Sequence, residues 1–264
     1  MRSSILIAFG LVVALSPVEA IFRPGYGGGY RPPSSYHGGH SEDCTTKKPV
    51  ETTSTAAPTT PTTTTTVAPT TRAPQCPTGF TGFTRQPAAD NDFTGLWCMK
   101  GVYQKDPIKV NDANALCKAN GGELTMIGGM AEQAHFGNEL KAKILEFGWP
   151  SGAVAVDGRR IPACVSKDSA VLDSEACGPT KAFVLTQKNT SPAFAWTIWA
   201  DKEPSANNWT YDIEECIQFT WDPSGKEARN LKLNDIYCNM EKAPNDPENV
   251  AFWNFGAICG TLPV

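Results

Sequence analysis

Eight cysteines between Cys76 and Cys259 constrain the fold of this chain more than any other feature. In an oxidising compartment they close evenly into four disulfide bridges, although spacing alone does not fix which cysteines pair. None of them forms a Cys-x-x-Cys pair and no histidine lies near them, which argues against a zinc site. A ninth cysteine, Cys44, stands apart near the N-terminus and is left to link two chains, to pair with glutathione or to stay free.

The first 20 residues have the three parts of a secretory signal peptide. Arg2 supplies the positive charge and Ile5–Leu15 the apolar region, and Val18-Glu19-Ala20 has small residues at the two positions that a signal peptidase reads. The apolar run is about half of the roughly 20 residues that a membrane-spanning helix needs. We therefore expect a secreted, extracellular protein without a membrane span.

Two biased segments separate the signal peptide from the cysteine-rich region. Residues 21–44 are rich in Gly, Tyr, Pro and Ser and bury too little apolar surface to fold, so they are predicted to be disordered. Residues 45–75 are rich in Thr and Pro, which is typical of an O-glycosylated, mucin-like stalk or a plain linker. One domain of ordinary size is predicted over residues 76–264.

The first half of this domain predicts a hairpin and two helices. Aromatic residues bounded by Gly and Pro indicate a hairpin over 76–98. Residues 109–120 predict a helix with Asn111 as its N-cap, and 123–127 a short strand. Apolar residues three and four apart predict a second helix over 131–147.

The second half predicts short strands and loops. Residues 153–156 form a predicted strand that ends in the turn Asp157-Gly158. Further strands are predicted at 183–186 and 215–221. Residues 250–260 are so apolar that their strand must be central or well covered.

Four side chains between Trp199 and Cys238 carry oxygen atoms that suit a calcium ion: Glu203, Glu214, Asn234 and Asp235. Ca²⁺ takes about 6–8 oxygen ligands, mostly from carboxylates and amides. Acidic residues in loops are also commonly just solvated, and composition does not decide between the two interpretations.

The order of these elements resembles a C-type lectin-like domain. The resemblance covers essentially all of 76–264 and is carried by Asn111–Ile127, Ala153–Gly158, Trp199-x-x-x-Glu203-Pro204, Glu214 two residues before Cys216, and Asn234-Asp235-Ile236-x-Cys238. Ala155 stands where the family usually has an aromatic residue, and Leu233 where it has Trp. The resemblance implies an α+β fold with two helices, small antiparallel sheets, a long calcium or ligand loop and stabilising disulfides.

The resemblance also implies disulfide pairing and a ligand site. The implied bridges are Cys76–Cys98, Cys117–Cys259, Cys164–Cys177 and Cys216–Cys238. In sugar-binding members the proline corresponding to Pro204 is cis, and two sugar hydroxyls complete the calcium sphere. The implied metal ligands are Glu203, Glu214, Asn234 and Asp235. The implied ligand-binding set adds Pro204 and Ser205, and Glu203 with Pro204 resembles the mannose-type motif.

Three features of this sequence depart from that motif. Ser205 replaces the expected Asn or Asp, and a hydroxyl is a poorer calcium ligand. The segment from Ser205 to Glu214 is longer than usual. Asn208-Trp-Thr is an N-glycosylation sequon whose glycan would lie at the rim of the site, and a second sequon at Asn189 is weakened by Pro192.

These observations give two functional hypotheses. One is a secreted carbohydrate-binding protein that uses Ca²⁺ to recognise microbial or matrix glycans in innate immunity. The other is a calcium-independent lectin-like domain that binds a protein or matrix ligand, and Cys44 could link two chains in either case. An enzyme is not expected because the domain contains one histidine, His135, and no Gly-rich phosphate loop. A net charge of −4 without a basic run argues against nucleic-acid binding.

Overall fold

The computed structural model describes residues 73–208, 212–225, 228–242 and 247–264. The predicted signal peptide, the Gly/Tyr/Pro-rich segment, Cys44 and all but the last residues of the stalk lie outside these ranges, so their boundaries stay predictions. Among the described residues, no helix has both the length and the apolar character needed to cross a membrane.

Strands and helices alternate along the described chain. The strands are β1 (Thr81–Thr84), β2 (Leu96–Ile108), β3 (Glu123–Leu124), β4 (Gly152–Arg160), β5 (Phe183–Val184), β6 (Cys216–Trp221), β7 (Lys232–Ile236) and β8 (Asn254–Thr261). The α-helices are α1 (Val110–Ala119), α2 (Met130–Phe147), α3 (Ser169–Leu172) and α4 (Pro192–Ala195). Short 3₁₀ segments cover Ala89–Asn91, Pro162–Cys164, Glu175–Cys177 and Pro247–Phe252. The α+β class expected from the sequence is confirmed.

The strands form one sheet in the order β1-β2-β8-β4-β6-β7, with β3 added to β8 and β5 to β4. The pairing of β4 with β8 is parallel, and the other pairings are antiparallel. The predicted central position of the last apolar strand is confirmed, since β8 lies between β2 and β4 and is buried over almost its whole length. The 3₁₀ segment before it occupies the residues where the strand was predicted to begin.

The two long helices cover the sheet and build the core. Their positions agree with the predicted ranges to within one residue at each end. The fully buried side chains of α2 are Phe136, Leu140 and Ile144, and α2 ends at Gly148, whose φ of 88° is in the left-handed region. Each such large apolar side chain contributes about 1.5–3 kcal/mol when it is buried.

The predicted N-cap of α1 is wrong. The capping position is occupied by Lys109, which makes no side-chain cap, and Asn111 lies inside the first turn. Asn111 instead donates from Nδ2 to Asn239 Oδ1 at 2.6 Å and accepts at Oδ1 from Arg159 at 2.7 Å. Its amide therefore joins α1 to the far end of the domain, a tertiary role that outweighs local capping preference.

The predicted turn at Asp157-Gly158 is also wrong, because β4 continues through it to Arg160. The register with β6 shifts between Val156 and Arg159, which is a bulge that accommodates both residues within the strand. Gly158 has a φ of 142°, and a Cβ there would lie 2.4 Å from Ile217 Cδ1. The longer strand carries Arg160 to the loop region described below.

Four disulfides are present: Cys76–Cys98, Cys117–Cys259, Cys164–Cys177 and Cys216–Cys238. These are the pairs that the family resemblance implies. The second bridge spans 142 residues and ties α1 to β8, and the fourth ties the start of β6 to the residues after β7. In the chain-entropy model each bridge stabilises the fold by about 2–4 kcal/mol.

A buried ion pair joins the end of the first hairpin to the start of α2. Arg85 donates from Nε and Nη2 to the two carboxylate oxygens of Glu132, both at 2.9 Å. Its Nη1 donates to Thr190 Oγ1 at 2.6 Å and to the Asn189 carbonyl at 2.7 Å. One arginine therefore meets one carboxylate, and all of its nitrogens have partners.

Candidate functional site

The loop that begins at Trp199 is anchored to the outer edge of β7. Two backbone hydrogen bonds of 2.8 Å join residues 198–200 to Leu233, which makes Trp199 an isolated parallel bridge. Four residues later the Glu203–Pro204 peptide bond is cis. The acidic residues of the loop are thereby brought beside the acidic residue of the strand.

Ser205 connects the three predicted carboxylate ligands. Its backbone N–H donates to Glu203 Oε2 at 2.8 Å and to Asp235 Oδ1 at 3.0 Å. Its hydroxyl donates to Glu214 Oε2 at 3.0 Å. The residue that departs from the family motif is thus a hydrogen-bond donor to all three acids, where an Asn or Asp in the motif would be a metal ligand.

The two residues that follow Ser205 also turn their backbone N–H groups toward the carboxylates. Ala206 donates to Asp235 Oδ2 at 2.8 Å, and Asn207 donates to Glu214 Oε2 at 2.9 Å. Hydrogen bonds to ionised carboxylates are stronger than those between neutral groups, so these contacts hold the loop in place.

Two arginines form ion pairs with the same acids. Arg160 pairs through Nη2 with Asp235 Oδ2, and both side chains are almost completely buried. Its Nε donates to the Glu214 carbonyl at 2.7 Å. On the other side of the cluster, Arg229 donates to Glu203 Oε1 at 3.3 Å. Neither arginine belongs to the predicted site.

Both guanidinium groups also lie over aromatic rings. The Cζ of Arg160 is 4.6 Å from the centre of the Phe183 ring, and that of Arg229 is 4.2 Å from the centre of the Phe252 ring. A cation over a ring face is attracted by the ring quadrupole, and most strongly where water is excluded. The arginines are therefore held from two sides, by an acid and by a ring.

Three carboxyl groups share two guanidinium groups, so the cluster would carry an excess of one negative charge if all three acids were ionised. Burial, followed by the charge of Asp235, raises the pKa of Glu203 from 4.5 to about 8. Burial and the same aspartate raise the pKa of Glu214 from 4.5 to about 9. At neutral pH the cluster retains protons on these glutamates, which reduces the repulsion among the three acids.

The family model for C-type lectin domain-containing protein 141/158 matches residues 82–262, which is well over half of the chain. The chain belongs to this family. The C-type lectin domain-containing protein 141 of Caenorhabditis elegans is 50% identical over 303 aligned positions and covers 100% of both chains. The family assignment that the cysteine order and loop motifs predicted is therefore confirmed.

A second relative and a solved structure extend the comparison. The C-type lectin domain-containing protein 158 of Caenorhabditis elegans is 34% identical over 190 positions, covering 72% of this chain and 89% of that protein. The crystal structure of the cow C-type carbohydrate-recognition domain of CD23 is 14% identical, covers 72% of this chain and 98% of that one, and has a TM-score of 0.39.

In this C-type lectin domain the residues at the long loop do not fit a calcium ion as they are arranged. Both carboxylate oxygens of Glu203 and of Asp235 accept from internal donors, as does Oε2 of Glu214. Within the described ranges, no group of three or more His, Cys, Asp and Glu side chains is placed to hold a metal ion. Arg160 and Arg229 together carry two positive charges, which equals the charge of Ca²⁺.

Asn234, the fourth predicted ligand, does not join the three acids through a hydrogen bond. Its Nδ2 donates to the backbone carbonyl of Asp235, and its Cα lies opposite Gln218 in the register of β6 and β7. Its Oδ1 is buried and has no partner among the described residues. This oxygen is the one feature of the site that favours an additional ligand.

The two sequons lie in different surroundings. Asn208 is exposed, one residue beyond the Asn207 contact with Glu214, whereas Trp209 and Thr210 are outside the described residues. Asn189 donates from Nδ2 to Thr94 Oγ1 at 2.8 Å, so its amide nitrogen is already engaged. This contact adds a physical reason to the predicted weakness of the Asn189 sequon, and glycosylation at either position stays a prediction.

Proposed function

We propose that this chain is a secreted, non-enzymatic binding protein that recognises an extracellular glycan or protein ligand through its lectin-like domain without requiring Ca²⁺. Membership of a lectin domain family supports the binding role. The predicted signal peptide supports secretion, and it lies in the part of the chain that the structure does not describe.

The two arginine–carboxylate pairs carry this proposal. In the family, Ca²⁺ is expected to neutralise the acids of the long loop and to hold the loop in place. Here Arg160 pairs with Asp235, Arg229 donates to Glu203, and Ser205 bridges the acids through hydrogen bonds. Removing either arginine would leave a buried carboxyl group without its partner, so the pairs are integral to the loop.

The surroundings of His135 support a binding role over catalysis. Its Nε2 lies 3.2 Å from Glu139 Oε1 on the same helix, and its ring packs edge-on against the rings of Phe83 and Phe136. A histidine in that position helps to pack α2 against the hairpin.

A calcium-dependent function is the second candidate, and the unpartnered Asn234 Oδ1 favours it. In that case Glu203, Glu214 and Asp235 would have to exchange their arginine and backbone partners for the ion. Recognition of microbial glycans in innate immunity is compatible with either candidate, because it concerns the ligand and not the ion.

The proposal is tested by measuring ligand capture by the full secreted chain on a glycan array and on immobilised matrix proteins, with and without a chelator. We expect binding that the chelator leaves unchanged. Binding that disappears with the chelator and returns with added Ca²⁺ would contradict the proposal and favour the second candidate.

The predicted stalk and Cys44 add a proposal on valency. A disulfide between two Cys44 residues would join two lectin-like domains through flexible segments and raise the avidity of weak single sites. A non-reducing gel should show a dimer that is absent from the Cys44→Ser variant. A monomer band in both proteins would contradict the dimer.

A further inference from the structure

A column of stacked groups runs from the buried ion pairs of the long loop to the surface. The guanidinium of Arg160 lies 4.6 Å from the Phe183 ring, whose centre is 5.5 Å from that of Trp199. The Trp199 ring stacks on Trp196 at 5.7 Å between centres and with only 10° between planes. Arg160 and Phe183 are 2% and 3% exposed, whereas both tryptophans are partly exposed. Trp196 is therefore the outer end of the column.

The outer tryptophans are held in place by the surrounding backbone. Trp199 lies on the β7 edge and donates its indole N–H to the Pro179 carbonyl at 3.1 Å. Trp196 follows α4 directly, and its backbone N–H donates to the Pro192 carbonyl at 3.0 Å. A ring that is already fixed loses little conformational entropy when a ligand stacks on it.

Trp196 also carries a polar group that lacks a partner. Its indole N–H makes no hydrogen bond to any residue that the structure describes, in contrast to the engaged indole of Trp199. A ligand suited to this end of the column needs an apolar face for the ring and an acceptor beside it. A purely apolar partner would leave the N–H unsatisfied, and a cation could lie over the ring face but could not accept from the N–H.

The polar side chains that neighbour the two tryptophans in the sequence carry no net charge. Asp201 and Lys202, which follow Trp199, are both exposed and of opposite sign, and Thr197 between the tryptophans is uncharged. A strongly charged ligand would gain nothing from such a set. Pyranose sugars combine a face of C–H groups with hydroxyls at the ring edge, which meets each of these requirements.

We propose that Trp196, stacked on Trp199, is a calcium-independent subsite for a neutral hexose or N-acetylhexosamine ring. This proposal rests on the proposed function, because it assigns a sugar to a domain that recognises its ligand without Ca²⁺. The ring stacks on the outer face of Trp196, and one ring hydroxyl accepts from the indole N–H. Trp199, at which the long loop begins, supports the inner face of Trp196.

The test uses the full secreted chain, an array of neutral hexose and N-acetylhexosamine oligosaccharides, and buffer with a chelator. Trp196→Ala should lower the affinity by about 5-fold to 150-fold, the fold-change that corresponds to the loss of one aromatic stacking contact. Trp196→Phe keeps a ring face but loses the N–H, so its affinity should fall between wild type and Trp196→Ala. Trp149→Phe is the matched control, because Trp149 is a partly exposed tryptophan in a different aromatic cluster.

A second measurement reports on the ring directly and does not depend on how well an alanine variant folds. In an NMR spectrum of the protein, the seven tryptophans give seven indole N–H signals. The signal of Trp196 is identified by its loss from the spectrum of the Trp196→Phe variant. Titration with the best-bound oligosaccharide should shift that signal more than the others.

The possible outcomes separate this subsite from the proposed function. Chelator-resistant glycan binding that is unchanged in Trp196→Ala, with no shift of the Trp196 signal, overturns the subsite alone. Glycan binding that is lost with chelator contradicts both proposals. A shift of the Trp196 signal by tetramethylammonium but not by any neutral oligosaccharide, or binding to matrix protein without binding to glycans, also overturns the sugar assignment.

Discussion

The domain contains two buried assemblies of arginine and carboxylate, and they differ in their charge balance. At the hairpin end, Arg85 meets Glu132 with two parallel hydrogen bonds of 2.9 Å. At the long loop, three acids share Arg160 and Arg229. The first assembly is neutral, and it is called closed here because every nitrogen of the arginine already has a partner. The second has one more acid than it has arginines, so it depends on protons and on donors from the loop backbone.

The Arg85–Glu132 pair has a structural role, whereas the cluster of acids and arginines lies at the predicted ligand loop. A pair of one arginine and one carboxylate, such as Arg85 with Glu132, joins two parts of the fold and needs no additional ion or proton to balance its charge. A cluster with more acids than arginines lies where related domains are expected to place a cation, and we propose that side chains from β4 and from the residues before β7 take the place of that cation.

The largest expected effect tests the closed pair. Arg85→Met would leave Glu132 buried without its partner, and breaking a buried pair in this way costs about 3–5 kcal/mol of folding free energy. Chemical denaturation of the variant and the wild type measures the difference. A loss below about 1 kcal/mol would show that the pair behaves like a surface pair and is not the closed assembly described above.

A smaller effect should appear as a pH dependence that belongs to the long loop. The pKa values of Glu203 and Glu214 in the folded state, about 8 and about 9, lie above their ordinary value of 4.5. The folded state therefore binds more protons than the unfolded state, and this contribution to stability is fully present below pH 4.5 and lost as the pH rises through 8 and 9.

Denaturation midpoints between pH 5 and pH 9 measure that dependence. Glu214→Gln should flatten the decline in stability toward alkaline pH, because the amide has no proton to lose. Glu146→Gln, which changes an exposed glutamate of α2, is the control and should leave the decline as in wild type. If the denaturation midpoint falls equally with pH in wild type and in Glu214→Gln, the raised pKa of Glu214 is contradicted.

Much of the fold followed from the sequence, because the signals were local or came from the family resemblance. The apolar stripe of α2 and the left-handed Gly148 determine that helix almost by themselves. The cysteine pairs required the resemblance, since spacing left them open. Asn111 was misassigned because its partners, Asn239 and Arg159, are distant in sequence and outweigh a capping preference.

The site was only half predictable for a similar reason. The acids Glu203, Glu214 and Asp235 were recognisable from their motif, and the structure brings them together around Ser205. Arg160 lies 75 residues before its aspartate and just beyond the predicted turn at Asp157-Gly158, so it was not expected on the same strand. A bulge that continues the strand leaves no local mark that distinguishes it from a turn.

The smallest expected effect sets the baseline for the comparison. Lys143 and Glu146 form an exposed pair of 2.8 Å on α2, three residues apart. Such pairs contribute only a few tenths of a kcal/mol, so Lys143→Ala should change stability by less than about 0.5 kcal/mol. A change of several kcal/mol in the same denaturation assay would mean that exposure does not distinguish this pair from the buried assemblies.

Calorimetric titration of the full chain with Ca²⁺ at neutral pH tests most directly whether the arginines replace the ion. Extracellular calcium modules bind with dissociation constants of about 0.1–1 mM, which sets the range to be covered. We expect no saturable heat of binding up to about 5 mM Ca²⁺, well beyond that range. Saturable binding that is lost in Asp235→Asn would contradict the account, because it would show that the acids release Arg160 and Arg229 to take up the ion.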